Sequence, residues 1–187
     1  MRRVVAVEYL SLDGVMEDPG TTGDYPHRGW TMPFWHDDLM KWQSGQLFAS
    51  DALLLGRVTY EEFVASWPQR SGDPFSDKFN SMRKYIASRT LKEPLPWNST
   101  LLHGDLVQAV EKLKAENGGD LLIYGSATMV SDLIPHRVID EYRLMIYPLV
   151  LGSGERLFKQ SPEVAQLKLD RAETSASGVT LLVYRPA

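Results

Sequence analysis

The turn after the second apolar segment has residue types that suit phosphate binding. A strand-like run at 52–55 is followed by Gly56, Arg57, Val58 and Thr59, where a helical pattern begins. A glycine lets the backbone turn sharply beside a ligand, and the free N–H groups and positive partial charge of a helix N-terminus attract phosphate. Arg57 adds a bidentate donor. A plain helix start is the alternative, because Thr59 and Glu62 also match a capping box.

Two more turns repeat this chemistry farther along the chain. Ser88, Arg89 and Thr90 stand at the end of the strand-like segment 83–88. An arginine beside two hydroxyls fits a phosphate monoester, such as the 2′-phosphate of an adenosine ribose. The third turn consists of a strand end at Tyr124, a glycine at 125 and a helix start at Ser126, which is the expected cap. Each turn alone is consistent with an ordinary connection, but the three together suit a dinucleotide.

Candidate proton donors lie on the first predicted helix, at 34–48. Asp38 borders the aromatic face made by Trp35 and Trp42, whereas Asp37 points toward water. A carboxyl beside tryptophans in a cleft would have a raised pKa and could act as an acid. The alternative is that both acids only favour the helix N-terminus. Asp13 is a second candidate, because it follows the first strand at the expected active-site edge, although Asp-Gly is also a turn signal.

The composition excludes several classes of protein. The chain of 187 residues carries a net charge of −4, which argues against a general nucleic-acid binder or a binder of anionic membranes. It contains no cysteine, and therefore no disulfide, thiol nucleophile or thiolate metal site. No run approaches the roughly 20 apolar residues of a membrane span, and the four histidines show no metal-ligand spacing. We expect a cytoplasmic protein that binds a small-molecule substrate and no metal.

Strand-like segments alternate with helical segments and then give way to strands alone. The predicted strands are 4–10, 52–55, 83–88, 100–103, 121–124, 140–149, 167–173 and 179–185. The predicted helices are 34–48, 59–66, a segment capped by Asp105 and ended by Gly118, and 126–134. Long loops are predicted at 14–30 and 68–80. This pattern predicts one α/β domain over residues 1–187, whose sheet starts parallel and finishes antiparallel, with ligands at the carboxyl ends of its strands.

Five segments occur in the order and spacing of a known family: SLDGVMEDP, LLLGRVTYEEF, YIASRT, LLIYGSATMVSDLI and YPLVLGSGERLF. Over nearly its whole length the chain resembles the dihydrofolate-reductase-like superfamily, and most of all the reductase domain of the riboflavin-biosynthesis deaminase-reductase. The resemblance implies a central mixed, mostly parallel sheet flanked by helices, with antiparallel C-terminal strands. It also implies NADPH as the cofactor. A homodimer is a further expectation, to which the apolar segment 140–150 could contribute.

The resemblance assigns a role to each residue that matches a family motif. Contacts to the cofactor phosphates would come from Gly56, Arg57, Val58 and Thr59. The adenosine end with its 2′-phosphate would be held by Ser88, Arg89 and Thr90. The pyrophosphate would be held by Gly125, Ser126 and Ala127, with Tyr124 as a neighbouring cofactor contact. The nicotinamide would be flanked by Leu12, Asp13 and Gly14.

The expected activity is hydride transfer from NADPH to a C=N or C=O bond of a pyrimidine-, pterin- or sugar-linked small molecule. It would be similar to that of 5-amino-6-(5-phosphoribosylamino)uracil reductase, with Asp38 or a bound water as proton source. Dihydrofolate reductases carry an acid on the first helix, and by family resemblance that position is Met40 here. The alternatives are a true dihydrofolate reductase and a non-catalytic NADP(H)-binding module.

Overall fold

The computed structural model describes residues 1–159 and 164–187. Within these ranges, eight β-strands form one mixed sheet. They are β1 Val4–Ser11, β2 Ser50–Gly56, β3 Arg83–Ala87, β4 Ser99–Leu101, β5 Asp120–Tyr124, β6 Glu141–Tyr147, β7 Leu167–Thr174 and β8 Thr180–Pro186. The same ranges contain five α-helices, which are α1 Asp37–Ala49, α2 Arg57–Ser66, α3 Pro74–Ser81, α4 Leu106–Ala115 and α5 Ala127–Leu133. None of these helices is long and apolar enough to cross a membrane.

The strand order places three predicted phosphate-binding turns side by side. The sheet runs β4-β3-β2-β5-β1-β6-β8-β7. The strands from β4 to β6 in this order are parallel, and β8 is antiparallel to both β6 and β7. The predicted mixed, mostly parallel sheet with antiparallel C-terminal strands is therefore confirmed. Because β3, β2 and β5 are neighbours that run in one direction, the turns that follow them emerge at one edge of the sheet.

The central strands are buried on both faces, which explains their nearly continuous apolar sequences. Along β1, Val4, Ala6 and Leu10 pack into one hydrophobic cluster together with residues of α4 and α5. Val5 and Val7 pack into a second cluster on the other face, against α2 and α3. Layers of helices on both faces thus hold the sheet rigid, and its carboxyl edge is left to the turns and loops.

The segment 68–80 is not the polar loop that its composition suggests. It contains α3, which starts at Pro74 and is capped by the Asp73 carboxylate, an acceptor from the Phe75 and Ser76 N–H groups. Phe75 and Phe79 are one helical turn apart and both contact Trp67. The helix was missed because its apolar face has only two residues, and the aromatic partner that stabilises it lies outside the segment.

The Asp105 cap of α4 is confirmed, and its contribution to stability can be measured. Asp105 Oδ1 accepts a hydrogen bond of 3.0 Å from the Gln108 N–H group. We expect Asp105→Ala to lower the free energy of unfolding by about 1 kcal/mol, because the first turn of the helix loses an acceptor. Urea denaturation would measure the change. Asp105→Asn keeps an acceptor and should stay within a few tenths of a kcal/mol of the parent; equal loss in both variants would contradict the capping role.

Candidate functional site

The predicted turns share one cavity at the carboxyl edge of the parallel strands. Its volume is about 1910 Å³. The residues of the three turns that line it are Gly56, Arg57, Val58, Thr59, Ser88, Arg89, Thr90, Tyr124, Gly125, Ser126 and Ala127. Arg57, Arg89 and Ser126 therefore face a common space, as a dinucleotide site would require.

The turns after β2 and β5 are hydrogen-bonded to each other. The Gly56 N–H group donates to Ser126 Oγ at 2.8 Å, and the Ser126 N–H group donates to Thr59 Oγ1 at 3.0 Å. A side chain on Gly125, whose φ is +61°, would place its Cβ 3.0 Å from Thr59 Oγ1. Glycine suits this position, because a larger residue would be strained at this φ and would press on the Thr59 side chain.

These hydrogen bonds correct the roles expected for two hydroxyls. The sequence suggests Thr59 and Ser126 as helix caps, but α2 begins at Arg57, and neither α2 nor α5 has a side-chain cap. Both hydroxyls instead accept an N–H group from the opposite turn. The first turn of α2 therefore presents N–H groups that no side chain caps, at the place where Arg57 lines the cavity.

The Ser88 turn borders the Gly56 turn. Ala87 is the register partner of Gly56 in the β2–β3 pair, so the Ser88 turn begins beside the point where β2 ends and α2 starts. Ser88 Oγ accepts from the Thr90 and Leu91 N–H groups at 3.2 and 3.1 Å, which fixes the shape of this turn. Arg89 is exposed and lines the cavity. Its guanidinium and that of Arg57 are thus on neighbouring turns.

A buried carboxyl that the motif analysis passed over also lines the cavity. Glu8 lies in the middle of β1, is 2 % exposed, and accepts a hydrogen bond of 2.9 Å from the Gly125 N–H group through Oε2. Burial raises the pKa of Glu8 well above its ordinary value, and the Gly125 hydrogen bond opposes this only in part. The sequence signal was a single acid inside an otherwise apolar central strand.

Another part of the cavity combines aromatic rings with acidic groups. Tyr9 and Trp35 meet edge to face with ring centroids 6.3 Å apart, and the Tyr9 hydroxyl accepts from Gln43 Nε2. Glu17, Asp18 and Glu62 also line the cavity. Burial, followed by the charges of Asp18 and Glu17, raises the pKa of Glu62. This part therefore suits a flat ligand that carries hydrogen-bond donors.

Asp38 is not where the proton-donor hypothesis needs it. It is absent from the cavity lining, and its side chain is 42 % exposed. Its carboxylate accepts N–H groups from Ala176 at 2.7 Å and Leu39 at 2.8 Å. These bonds, that from Ala176 above all, lower the pKa of Asp38. The expected rise in pKa is therefore wrong, because the carboxylate is hydrogen-bonded to Ala176 in the β7–β8 connection.

Leu12, Asp13 and Gly14 are likewise outside the cavity lining. Asp13 accepts from the Ser11 hydroxyl and from the N–H groups of Leu151 and Gly152. These hydrogen bonds, with that from Ser11 the largest influence, lower its pKa to about 2. Leu12 is 64 % exposed, and Gly14 has a φ of +80°. The structure shows this segment as a turn that Asp13 ties to the 151–152 loop.

The described part of the chain contains no cluster of side chains that could bind a metal ion. No group of three or more histidine, cysteine, aspartate or glutamate side chains is placed there to hold an ion. The acids that line the cavity, Glu17, Asp18 and Glu62, do not form such a group.

The sheet order and the joined strand–helix turns define an α/β protein with the dihydrofolate-reductase-like fold. The RibD C-terminal domain family model matches residues 2–181, and the chain belongs to that family. Uncharacterized protein YyaP of Bacillus subtilis (strain 168) is 29 % identical over 192 residues, which cover 98 % of this chain and 94 % of YyaP.

Solved structures with low sequence identity share the fold. A pyrimidine reductase-like protein from Corynebacterium diphtheriae superposes with a TM-score of 0.66 at 14 % identity, over 100 % of this chain and 92 % of the other. Dihydrofolate reductase from Enterococcus faecalis, solved with NADP(H), superposes with a TM-score of 0.64 at 15 % identity, over 98 % and 96 % of the two chains. At these identities the likeness is one of fold.

The hydrogen bond between the turns can be tested through stability. In Thr59→Val the side-chain volume is nearly unchanged, but the Ser126 N–H group loses its acceptor. We expect the free energy of unfolding to fall by about 0.5 to 1.5 kcal/mol, the net contribution of a typical hydrogen bond, because Ser126 is only half-buried. Chemical denaturation would measure it. Thr59→Ser keeps the hydroxyl and is the matched control, and a stable Thr59→Val protein would show that the bond contributes little.

The Asp13 hydrogen bonds predict an acid-dependent contribution to stability. Its pKa is lowered from 3.8 to about 2, so the carboxylate stabilises the fold above pH 4 and loses this effect as the pH falls toward 2. The stability difference between the parent and Asp13→Asn should therefore be largest near neutral pH and shrink in acid. Urea denaturation at several pH values would show it. Asp37→Asn on α1 controls for loss of a charge, and parallel pH curves for parent and Asp13→Asn would contradict the assignment.

Proposed function

We propose that the protein is an NADPH-dependent oxidoreductase that reduces a small heterocyclic substrate. The observation that carries this proposal is the convergence of three turns from the adjacent strands β3, β2 and β5 on one cavity. Two of these turns bring an arginine to it, Arg57 and Arg89. Two phosphates and a ribose phosphate need such a set of N–H groups and cations close together.

The residues present fit the cofactor that the family resemblance implies. The N–H groups in the first turn of α2 would meet one phosphate, and the turn from Gly125 to Ala127 would hold the other. Arg89, with Ser88 and Thr90, would take the 2′-phosphate, and Arg57 would add charge between the two regions. When bound, the cofactor supplies the hydride, while the protein supplies position and electrostatics.

The remaining part of the cavity supports a flat, donor-rich substrate. Tyr9 and Trp35 offer aromatic surface, and Glu17, Asp18 and Glu62 offer acceptors. A pyrimidine or pterin that carries amino groups has matching chemistry, which agrees with a reaction like that of 5-amino-6-(5-phosphoribosylamino)uracil reductase. Met40 lines this cavity where the family resemblance places the acid of dihydrofolate reductases, so dihydrofolate is the less favoured substrate.

The proton for the reduction needs a source other than Asp38 or Asp13. Both carboxylates lie outside the cavity lining and have lowered pKa values. A bound water, or a carboxyl that faces the cavity, is the source that the arrangement of groups supports.

Cofactor discrimination tests the proposal. Arg89→Ala should weaken NADPH binding by about 10- to 100-fold, the loss of a charge-assisted contact. Binding of NADH, which lacks the 2′-phosphate, should change by less than about threefold. Fluorescence titration of each nucleotide would measure both values. Arg171→Ala, on the exposed strand β7, is the control; equal losses for NADPH and NADH would contradict the 2′-phosphate assignment.

Turnover separates the alternatives. NADPH oxidation with a panel of pyrimidines and pterins should give activity for a reductase of this type, while activity restricted to dihydrofolate would identify a dihydrofolate reductase. Tight NADPH binding without turnover across the panel would favour a non-catalytic binding module.

A further inference from the structure

Glu8 is a buried acid with one hydrogen-bonded and one unpaired oxygen, and its side chain lines the proposed cofactor cavity. It lies on the central strand β1 and is 2 % exposed. Its Oε2 accepts the Gly125 N–H group at 2.9 Å, which joins it to the turn that would hold the pyrophosphate. Its Oε1 is buried and has no hydrogen-bond partner among the described residues, although the side chain lines the cavity. Buried polar atoms in folded proteins are mostly paired, so an unpaired carboxyl oxygen beside a cavity points to a missing partner.

The surroundings of Glu8 favour the neutral acid. Burial is the main cause of the raised pKa of Glu8, and the Gly125 hydrogen bond opposes it. The titratable neighbours on which its charge acts are the hydroxyls of Tyr9, on its own strand, and Tyr124, on β5. The charge of Arg143, on β6, opposes the rise in the pKa of Tyr124, and Arg143 forms its ion pair with Glu141. From the loop and from α2, Glu17 and Glu62 add negative charge to the same cavity. No cation is therefore paired with Glu8 in the described structure, and an unpaired buried carboxyl avoids the cost of its charge by keeping a proton.

A proton on Glu8 has one suitable position. Oε2 already accepts from Gly125, so the proton resides on Oε1, where it changes an unpaired acceptor into an unpaired donor on a side chain that lines the cavity. A phosphate or carboxamide oxygen of a dinucleotide is an acceptor for such a donor. In the charged form, the same side chain would place a carboxylate behind the turn that is meant to receive the pyrophosphate.

We propose that Glu8 is a ligand-binding residue of the cavity, which holds a proton on Oε1 and donates a hydrogen bond from there to an oxygen of the bound dinucleotide. This inference rests on the proposed function, because the ligand is the cofactor proposed above. It makes cofactor binding proton-linked, since the protonated protein binds and the charged protein binds weakly. No proton is transferred to the ligand, and Glu8 keeps its proton in the complex.

The measurable consequence is the pH dependence of the dissociation constant. For the parent protein, the Kd of NADPH should be constant at low pH and then rise, by up to about tenfold per pH unit, above the pKa of Glu8. Glu8→Gln has an amide oxygen to accept from Gly125 and an amide N–H to donate, so it resembles the protonated acid. Its Kd should stay low, and for NADH, which has no 2′-phosphate to titrate, it should be independent of pH. Glu8→Ala loses both contacts and should bind weakly at every pH.

Two controls assign the pH dependence to Glu8. NADH repeats the titration without a 2′-phosphate, whose own ionisation would otherwise contribute. Glu62→Gln, a second acid of the same cavity with a raised pKa, should keep the slope of the parent. With NADH, a slope that persists in Glu8→Gln, or that disappears in Glu62→Gln alone, would overturn the inference.

A measurement on the parent protein covers the case in which Glu8→Gln does not fold. Calorimetry of NADH binding in buffers of different ionisation enthalpy should show uptake of up to about one proton at the pH values where binding weakens. Zero uptake there would overturn the role of Glu8 and leave the oxidoreductase proposal standing. Failure of every version to bind either dinucleotide would overturn the proposed function, and the Glu8 inference with it.

Discussion

The site depends on the pair of hydrogen bonds that joins the turns after β2 and β5. Gly56 donates to the Ser126 hydroxyl, and Ser126 donates to the Thr59 hydroxyl. This exchange satisfies two N–H groups inside the protein and holds the N-termini of α2 and α5 side by side. The Gly125 N–H group in turn donates a hydrogen bond to Glu8 on β1. A single chain of contacts thus runs from the central strand to both helix starts, so movement of one turn would disturb the other.

The distribution of charge follows from this arrangement. The protein is acidic as a whole, with a net charge of −4, yet Arg57 and Arg89 lie on the neighbouring turns after β2 and β3. Glu17, Asp18 and Glu62 line the same cavity, and burial, followed by the charges of Asp18 and Glu17, raises the pKa of Glu62. A ligand with phosphates at one end and a donor-rich ring at the other matches such a separation better than a ligand with one kind of charge.

Much of the fold followed from local sequence, and the failures have identifiable physical causes. The strands are apolar runs bounded by turn residues, and the Asp105 cap lies directly before its helix. Helix α3 was missed because its apolar face is short and packs on Trp67 outside the segment, although Asp73 and Pro74 are a local signal for a helix start. Asp38 was misjudged because the helical angle placed it beside Trp35 and Trp42, but its carboxylate bonds to Ala176 from a hairpin far along the chain. Side-chain direction at a helix start depends on such partners, which periodicity does not contain.

The sequence by itself determined the eight strands, every described α-helix except α3, and the residue types of the three turns, because each depends on neighbours within a few positions. The family followed from five motifs in their order along the chain. Tertiary structure alone decided that β5 lies between β2 and β1, which brings Gly125 to Thr59 and to Glu8 across separations of 66 and 117 residues. It also decided which acids face the cavity and which are used to tie loops. Burial and hydrogen-bond partners set the properties of a carboxyl, and both are consequences of the folded chain.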